Sequence, residues 1–332
     1  MVTAAVITKQ GAPPELMPHR LVARGPGQCT IRVTAAPIVP LDLLCATGTS
    51  YFGAPSLPYV PGVQGVGEVL HGDSLVPGTR VWFNTDAGMR PGNGSLAEMA
   101  VVDETETVGL PEGVDDAEAG ALGLSAVAAW AALTWRAKLL PGEQVLVLGA
   151  SGVVGQVAVH AARAQGAGRI IAASRQARAR GHAFFADADA VVDLSDGDVD
   201  EIERRIREAV EGQLQVVIDP VCGNATTAAL RVLGDGGRLV NLGSAGGPQA
   251  TFDSASMRSR SHSILGYTNA SLTPAQRSDA LTAILGLAAE GRCDVNHVIV
   301  GLNEVSDAWR TAATGTRRVV VMPAGSRSTE SG

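Results

Sequence analysis

Three glycines near the middle of the chain could bring a phosphate group against the start of a helix. The segment Gln144 to Arg175 reads QVLVLGASGVVGQVAVHAARAQGAGRIIAASR. Its glycine-rich turn consists of Gly149, Ala150, Ser151, Gly152, Val153, Val154 and Gly155. The first glycine allows a tight turn, the second removes a Cβ from the path of an anion, and the third lets a helix pack closely on a strand. The N–H groups and the dipole of a first helical turn attract negative charge.

The elements around this turn make the prediction more specific. An apolar run precedes it at Val145 to Leu148, an Ala/Val-rich helical pattern follows to about Gln165, and a second β-rich run covers Arg169 to Ala173. A strand, a glycine turn, a helix and a strand in this order form the βαβ unit that holds a dinucleotide pyrophosphate. A glycine pattern alone also fits a structural turn. The flanking elements favour dinucleotide binding by Gly149 to Gly155.

The end of the second strand predicts which dinucleotide binds. A site for NAD usually places an acidic residue there, whereas a site for NADP supplies a cation for the extra phosphate. This chain has Ser174 and Arg175 at that point, with Arg178 and Arg180 one turn later. Arg180 fits a solvated helix start better than a ligand. The pair Ser174 and Arg175 predicts NADP(H).

Composition limits the other function classes. The chain has 332 residues, of which 45% are hydrophobic and 18% charged, so it can form two packed domains. Its formal net charge of -7 is unfavourable for binding nucleic acid or an anionic membrane surface. The longest nearly apolar stretch, Ala121 to Leu133, is too short to span a membrane. We therefore expect a small-molecule substrate, with neither nucleic acid nor a membrane as partner.

The cysteines and the N-terminus predict a cytoplasmic protein. Cys29, Cys45, Cys222 and Cys293 lie far apart, without the short spacings of a zinc site or a disulfide framework. The N-terminal residues lack a basic stretch followed by an apolar core, so no secretory signal is predicted. Reduced thiols are the expected state.

Turn and strand signals divide the chain into two kinds of sequence. Up to residue 114, many short strands and frequent turns predict a small β-barrel-like domain. From residue 115 to 268, strands alternate with helices, which predicts an α/β fold with a doubly wound parallel sheet.

Several ordered motifs then carry a family resemblance. They are LPYVPGVQGVGEV at 57–69, GSLAEMAVV at 94–102, GLSAVAAWAAL at 123–133 and PGEQVLVLGASGVVG at 141–155. Their order resembles the medium-chain dehydrogenase/reductase superfamily, and within it the zinc-free, quinone-oxidoreductase-like reductases. The resemblance implies a Rossmann domain for NADP(H) over 115–268 and a GroES-like, β-barrel-type substrate domain over 1–114 and 269–332. It also implies a homodimer.

The resemblance also implies which metal positions have changed. Zinc alcohol dehydrogenases of that superfamily hold metal ligands where this chain has Val39, Val63 and Gln64, and they carry a four-cysteine loop that is missing between Asn84 and Glu112. Valine offers no lone pair to a metal, so we expect no zinc. Without a metal to polarise an alcohol or carbonyl oxygen, hydride transfer to an already activated acceptor remains feasible.

Further site residues follow from the resemblance alone. It places Ser125 near the nicotinamide or its phosphates, and the backbone of Gly243, Ser244 and Ala245 beside the nicotinamide ribose. A hydroxyl bonded to its own helix is an equal alternative for Ser125. A tyrosine that contacts the NADP phosphate in some relatives is replaced here by Leu194.

The substrate pocket is expected in the cleft between the domains, and its candidate residues are Asp42, Tyr51, Tyr59, Tyr267 and Asn269. Tyr51 is the candidate proton donor, although an aromatic lid residue without a chemical role fits as well. Asp42 also fits a helix cap, Tyr59 a packing residue, and Tyr267 with Asn269 a dimer seam.

These observations predict a zinc-independent oxidoreductase that transfers hydride from NADPH to a quinone or to the C=C bond of an α,β-unsaturated carbonyl. Two alternatives stay open. One is an enoyl-thioester reductase, for which Arg258 and Arg260 could meet a carrier phosphate. The other is a non-catalytic protein that binds NADPH as a sensor or structural element.

Overall fold

Contacts along the chain group into two units in the computed structural model, which describes residues 1–315 and 317–323. Unit 1 contains Met1–Gly123, Leu285–Gly291 and the described residues from Val295 onward, and unit 2 contains Leu124–Ile284 and Arg292–Asp294. The strands are β1 (Val2–Val6), β2 (Glu15–His19), β3 (Gln28–Ile38), β4 (Gln64–His71), β5 (Arg80–Asn84), β6 (Met99–Asp103), β7 (Thr107–Gly109), β8 (Gln144–Leu148), β9 (Arg169–Ser174), β10 (Ala190–Asp193), β11 (Leu214–Asp219), β12 (Leu233–Asn241), β13 (Ser263–Gly266), β14 (His297–Gly301) and β15 (Arg318–Met322). The helices are α1 (Pro40–Thr47), α2 (Asp116–Ala131), α3 (Val153–Ala164), α4 (Ala177–Arg180), α5 (Val199–Ala209), α6 (Asn224–Val232), α7 (Ser254–Ser259), α8 (Pro274–Ala289) and α9 (Val305–Ala313).

Unit 2 is built on a parallel sheet in the order β10-β9-β8-β11-β12-β13. Residues 145–148 of β8 are fully buried, as expected for a strand covered on both faces. The chain runs outward from β8 to β10 on one side and from β11 to β13 on the other, so the strand order reverses between β8 and β11. This reversal is the topological switch point of a doubly wound sheet. The predicted α/β fold with a parallel Rossmann sheet is confirmed.

Unit 1 contains a separate sheet of seven strands, in which β14-β15-β3-β4-β5-β7 are neighbours and β6 pairs with β3. The long strand β3 joins its parts, because it pairs antiparallel with β4, β6 and β15. Pairing between β15 and β3 brings residues 318–322 into the same sheet as the N-terminal strands. The core of unit 1 includes Ile31, Phe83, Leu96, Trp309 and Val321.

The unit boundaries differ from those expected at 114/115 and 268/269. The first helix after residue 114 belongs to unit 1 up to Gly123, and α8 contributes residues to both units. The turn residues Leu110 to Gly113 directly follow strand β7. The change from contacts within unit 1 to contacts within unit 2 occurs later, inside helix α2.

Helix α2 is broken at Gly123. Gly123 has φ 34° and ψ -130°, and a Cβ on it would lie 2.0 Å from Oε1 of Gln64. A buried side chain distant in sequence therefore occupies the break. The helical segment Asp116–Ala137 is long and apolar enough to cross a membrane by length and composition, but 83% of its apolar window is buried in the structure. Such burial is typical of a core helix in a globular protein. The length and apolar composition of a helix are by themselves weak evidence that it spans a membrane.

Candidate functional site

The glycine turn follows the end of β8, and two of its glycines are required by geometry. Gly149 has φ 64°, and a Cβ there would lie 2.7 Å from Cγ2 of Val221. A Cβ on Gly155 would lie 2.3 Å from the carbonyl oxygen of Gly149 and 2.6 Å from Cα of Ala150. Gly155 therefore allows the close packing of α3 on the turn that is predicted for the third glycine.

Gly152 differs from the other two glycines because open space surrounds it. Its φ of -78° is accessible to any residue, and the nearest atom to an added Cβ would be the carbonyl oxygen of Gly149 at 3.4 Å. Gly152 is exposed and is the N-cap of α3, where no side chain caps the helix. The first N–H groups of α3 therefore lie beside a residue without a side chain, which suits an anion.

The end of β9 separates the two predicted phosphate ligands. Ser174 is 1% exposed; its hydroxyl donates to Oγ of Ser151 at 2.7 Å and accepts from N of Gln176 at 3.0 Å. Ser174 thus joins the glycine turn to the turn after β9. Arg175 is exposed and has no hydrogen-bond or ion-pair partner among the residues that the structure describes.

The neighbouring arginines already have partners. Arg178 forms an ion pair with Asp193 at 2.5 Å. Arg180 donates to Oε1 of Gln176 and lies over the ring of Phe184, 4.6 Å from its centroid. Arg175 is therefore the arginine of 175, 178 and 180 whose charge is available for a ligand.

On the other side of the switch point, a buried carboxylate connects the ends of two strands. Asp219 ends β11 and is fully buried. Its Oδ1 accepts from N of Val221 at 3.0 Å and of Cys222 at 2.8 Å. Its Oδ2 accepts from Oγ1 of Thr226 at 2.8 Å and from Nδ2 of Asn241 at 2.9 Å.

Asn241 extends this network into the predicted ribose loop. Its Nδ2 also donates to the carbonyl oxygen of Gly243 at 3.0 Å. Ser244 and Ala245 follow as exposed residues, and N of Ala245 approaches the carbonyl oxygen of Pro220 at 3.4 Å. The loop predicted from the resemblance is thus attached to the end of β11 by side chain and backbone.

Ser125, Tyr267 and Asn269 lie in one neighbourhood of unit 2. The Tyr267 hydroxyl donates to Oδ1 of Asn269 at 2.6 Å, and Nδ2 of Asn269 donates to the carbonyl oxygen of Leu124 at 3.0 Å. Leu124 precedes the buried Ser125 where α2 resumes. Burial raises the pKa of Tyr267 above its usual range. These contacts hold the resumed helix and direct both polar side chains into unit 2.

In unit 1, Asp42 caps α1 from within the protein. The carboxylate is buried, and it accepts from the backbone N of Val39 at 2.8 Å, of Gly62 at 3.1 Å and of Val63 at 2.9 Å. Burial raises the pKa of Asp42 to about 6, against the opposing effects of these N–H groups and of the charge of Arg318. These contacts are those of a helix cap, which is the alternative to a pocket role that the sequence offers for Asp42.

The two tyrosines of unit 1 differ in exposure. Tyr51 is 76% exposed, and its ring lies 4.5 Å from that of Phe52. Tyr59 is 4% exposed and packs in the core of unit 1, where burial raises the pKa of its hydroxyl. The Tyr59 hydroxyl has no hydrogen-bond partner among the described residues. Tyr51 is therefore the better placed of the two to meet a small molecule.

Comparison with known proteins identifies the family. Residues 25–112 match the alcohol dehydrogenase GroES-like domain, and residues 153–289 match the family described as zinc-binding dehydrogenase. Quinone oxidoreductase-like protein 2 of Bos taurus is 32% identical over 279 residues, which cover 81% of this chain and 76% of that protein. The chain belongs to the medium-chain dehydrogenase/reductase superfamily, in its quinone-oxidoreductase-like branch.

Two further proteins are similar to this chain. The structure of a mycobacterial protein in complex with NADPH matches with a TM-score of 0.83 and 21% identity, covering 97% of this chain and all of that one. A phenolphthiocerol/phthiocerol polyketide synthase of Mycobacterium tuberculosis is 28% identical over 323 residues, or 89% of this chain. The chain spans only 13% of the length of that synthase.

The positions that hold zinc ligands elsewhere in the superfamily have other uses in this chain. Val39 precedes α1, and the backbone of Val63 donates to Asp42. Gln64 is fully buried and accepts from Nε1 of Trp82 at 3.1 Å. These side chains do not form a zinc ligand set, because valine has no donor atom. Among the side chains that the structure describes, no group of three or more His, Cys, Asp or Glu could hold a metal.

The hydrogen-bonded pair Asp219 and Asn241 was not singled out from the sequence. Both residues end strands of the parallel sheet. The available signal is their position: each is a polar residue at the carboxyl end of an apolar strand, the edge where open α/β sheets bind ligands.

Proposed function

We propose that this protein is a zinc-independent oxidoreductase that uses NADPH to reduce a quinone or the C=C bond of an α,β-unsaturated carbonyl. The observation that carries the cofactor choice is Arg175, an exposed cation without a described partner at the end of β9. An acidic residue at this point would favour NAD, and Arg175 would instead attract the additional phosphate of NADP. The mycobacterial structure of the same fold was solved with NADPH.

The chain offers a fitting residue for each part of the dinucleotide. Gly149 to Gly155 and the start of α3 would hold the pyrophosphate, and Arg175 the 2′-phosphate. Ser174 would act through Ser151, since its hydroxyl is used within the turn. Ser125 and the loop Gly243–Ser244–Ala245 would contact the nicotinamide half. When bound, NADPH supplies a hydride.

Tyr51 is the proposed proton donor to the reduced acceptor. Its exposed phenol could donate a proton to the α-carbon, or to a quinone oxygen, after reduction. Asp42 is not assigned a proton-transfer role, because its carboxylate binds three backbone N–H groups. Tyr59, Tyr267 and Asn269 remain proposed contributors to the shape of the pocket.

An enoyl-thioester reductase is the second candidate. The similarity to a polyketide synthase, which covers 89% of this chain, favours it, although that synthase is far longer. Such an enzyme would reduce the same conjugated C=C bond and differ in the group attached to the carbonyl. Arg258 and Arg260, the candidates for a carrier phosphate, donate to backbone oxygens of Ser254 and Leu233.

Substrate and cofactor are tested together. Oxidation of NADPH should be followed with quinones, enones, enals and enoyl thioesters, each measured also with NADH. The proposal expects turnover of a quinone, enal or enone, with NADPH preferred. Turnover of enoyl thioesters alone would favour the second candidate, and tight NADPH binding without turnover of any acceptor would indicate a sensor.

Replacement of Arg175 by Gln isolates the phosphate contact. A charge-assisted hydrogen bond contributes about 1.5–3 kcal/mol, so Arg175→Gln should raise the KM for NADPH by roughly tenfold or more and leave that for NADH unchanged. Arg310→Gln removes the same charge from an exposed position on α9 and is the control. An equal effect on both cofactors would contradict the assignment.

We also propose that the protein is a homodimer. Strand β13 pairs only with β12 among the described strands, and Ile264 on it is 40% exposed. A sheet edge of this kind can pair with a second copy. A mass near that of one chain, 33.9 kDa, in light scattering would exclude this proposal.

A further inference from the structure

We infer that Asp219 and Asn241 act as a positioning pair, which fixes the backbone of the loop Gly243–Ala245 for the nicotinamide half of the cofactor. This inference rests on the proposed function, because it concerns the same dinucleotide. It assigns a role to two residues that do not themselves need to contact the ligand.

Topology decides which half of the dinucleotide is involved. In a doubly wound sheet the pyrophosphate lies at the first strand and one nucleoside extends over each half of the sheet. The adenosine side is marked by β9, whose end carries Arg175. The nicotinamide side is therefore that of β11 and β12, where Asp219 and Asn241 end their strands.

The hydrogen bonds connect the pair to this loop. The two residues are paired in register, and Nδ2 of Asn241 lies 2.9 Å from Oδ2 of Asp219 and 3.0 Å from the carbonyl oxygen of Gly243. One amide group therefore spans the buried carboxylate and the first peptide of the loop. Without Asn241, the Gly243 carbonyl would lose this donor and the loop could adopt other backbone conformations.

The carboxylate gives the arrangement its rigidity. Asp219 is fully buried and receives donors from the turn after β11, from α6 and from β12. A buried carboxylate with its oxygens occupied holds these three segments in one geometry, because a lost donor would leave a buried charge without compensation. The close approach of the loop also needs a glycine, since a Cβ on Gly243 would lie 2.7 Å from the carbonyl oxygen of Pro220.

The test compares a whole cofactor with half of it. NADPH contains both nucleosides, whereas 2′,5′-ADP contains only the adenosine side with its phosphates. Asn241→Leu removes the amide donor and keeps the side chain at nearly the same size. Asn241→Ser keeps a donor group on a side chain that is too short to reach the carbonyl oxygen of Gly243. Each variant should raise the Kd for NADPH by about three- to tenfold, because this is the effect expected from the loss of one hydrogen bond. The Kd for 2′,5′-ADP should stay within about twofold of the wild-type value.

Thr227→Val is the matched control. It removes a buried hydroxyl on the same helix α6, which binds the carbonyl oxygen of Gly223 and N of Thr251 and not Asp219, so it should lower the unfolding temperature while the ratio of the two Kd values stays at the wild-type level. A structural effect alone would lower both affinities together in the Asn241 variants. That result, or an unchanged ratio in both Asn241 variants, would overturn the inference.

Failure of the proposed function is recognised separately. If the wild-type protein binds NADH more tightly than NADPH, the cofactor assignment is wrong, and the same comparison with NADH and 5′-ADP then decides the role of the pair. If the wild-type protein binds neither dinucleotide, both proposals are wrong. In active variants, the inference further expects a raised KM for the cofactor with a smaller change in kcat.

Discussion

At the residue scale, the carboxylate of Asp42 shows how one group can organise a unit while opposing its stability near neutral pH. It joins the start of α1 to the backbone of Gly62 and Val63. The same burial that makes these bonds strong also raises its pKa to about 6, compared with 3.8 for an exposed aspartate.

The raised pKa predicts a loss of stability as the pH rises. Below pH 3.8 the group is protonated in both states; between 3.8 and about 6 it ionises in the unfolded chain while the folded protein retains the proton. The free energy of unfolding should therefore fall through this window, by about 3 kcal/mol in total. Asp42→Asn does not titrate, so the difference in unfolding free energy between wild type and variant should fall by about that amount from pH 3 to pH 7.

Urea unfolding at several pH values measures this difference. Asp307→Asn, at an exposed position on α9, controls for the removal of one negative charge. Parallel pH curves for the wild type and Asp42→Asn would show that Asp42 titrates normally in the folded protein.

At the element scale, the glycine turn and α3 were predictable because each step depends on neighbours in sequence. The strand, the turn and the helix follow within residues 144–164, and the second strand packs beside the first. Periodicity and glycine spacing therefore predict the whole βαβ unit. The same holds for the parallel sheet, which follows from alternation of strands and helices.

Features that depend on distant residues could not be predicted. The break in α2 requires Gln64, which lies on β4, and the sequence around Gly123 alone favours a helix of small residues. The inward direction of the Ser174 hydroxyl depends on Ser151, and the role of Asn241 depends on Asp219. In each instance the local pattern predicts the element, and a partner from elsewhere in the sequence gives the side chain its function.

The two later glycines of the turn should separate stability from binding. Gly155→Ala places a methyl group 2.3 Å from a backbone oxygen, and such overpacking costs about 1–3 kcal/mol or more. Gly152→Ala meets nothing closer than 3.4 Å, so its unfolding free energy should stay within about 1 kcal/mol of wild type. Its methyl group would instead lie in the proposed path of the pyrophosphate, and the Kd for NADPH should rise by about tenfold or more.

Urea unfolding and a fluorescence titration with NADPH, performed on both variants, give the two quantities. Because each variant is the control for the other, the prediction concerns the contrast between them. Equal losses of stability in both variants, or unchanged affinity in Gly152→Ala, would contradict the assigned roles.

At the scale of the whole molecule, the family and the metal have to be considered together. One matched family is described as zinc-binding dehydrogenase, and its match covers residues 153–289. The positions that matter for zinc lie elsewhere, within the match to the GroES-like domain over residues 25–112. Membership in the superfamily therefore leaves the metal to be decided by Val39, Val63 and Gln64 themselves.

The side chains at these positions predict a protein that works without zinc. Two are buried valines, and the third, Gln64, binds the indole of Trp82 and fills the break at Gly123. Purified protein should hold far less than one zinc per chain by elemental analysis, and 1,10-phenanthroline should leave NADPH oxidation unchanged. A zinc alcohol dehydrogenase, treated in parallel, should lose its activity, because a catalytic zinc is its electrophile. Zinc retained at one atom per chain through dialysis against a chelator would contradict the prediction.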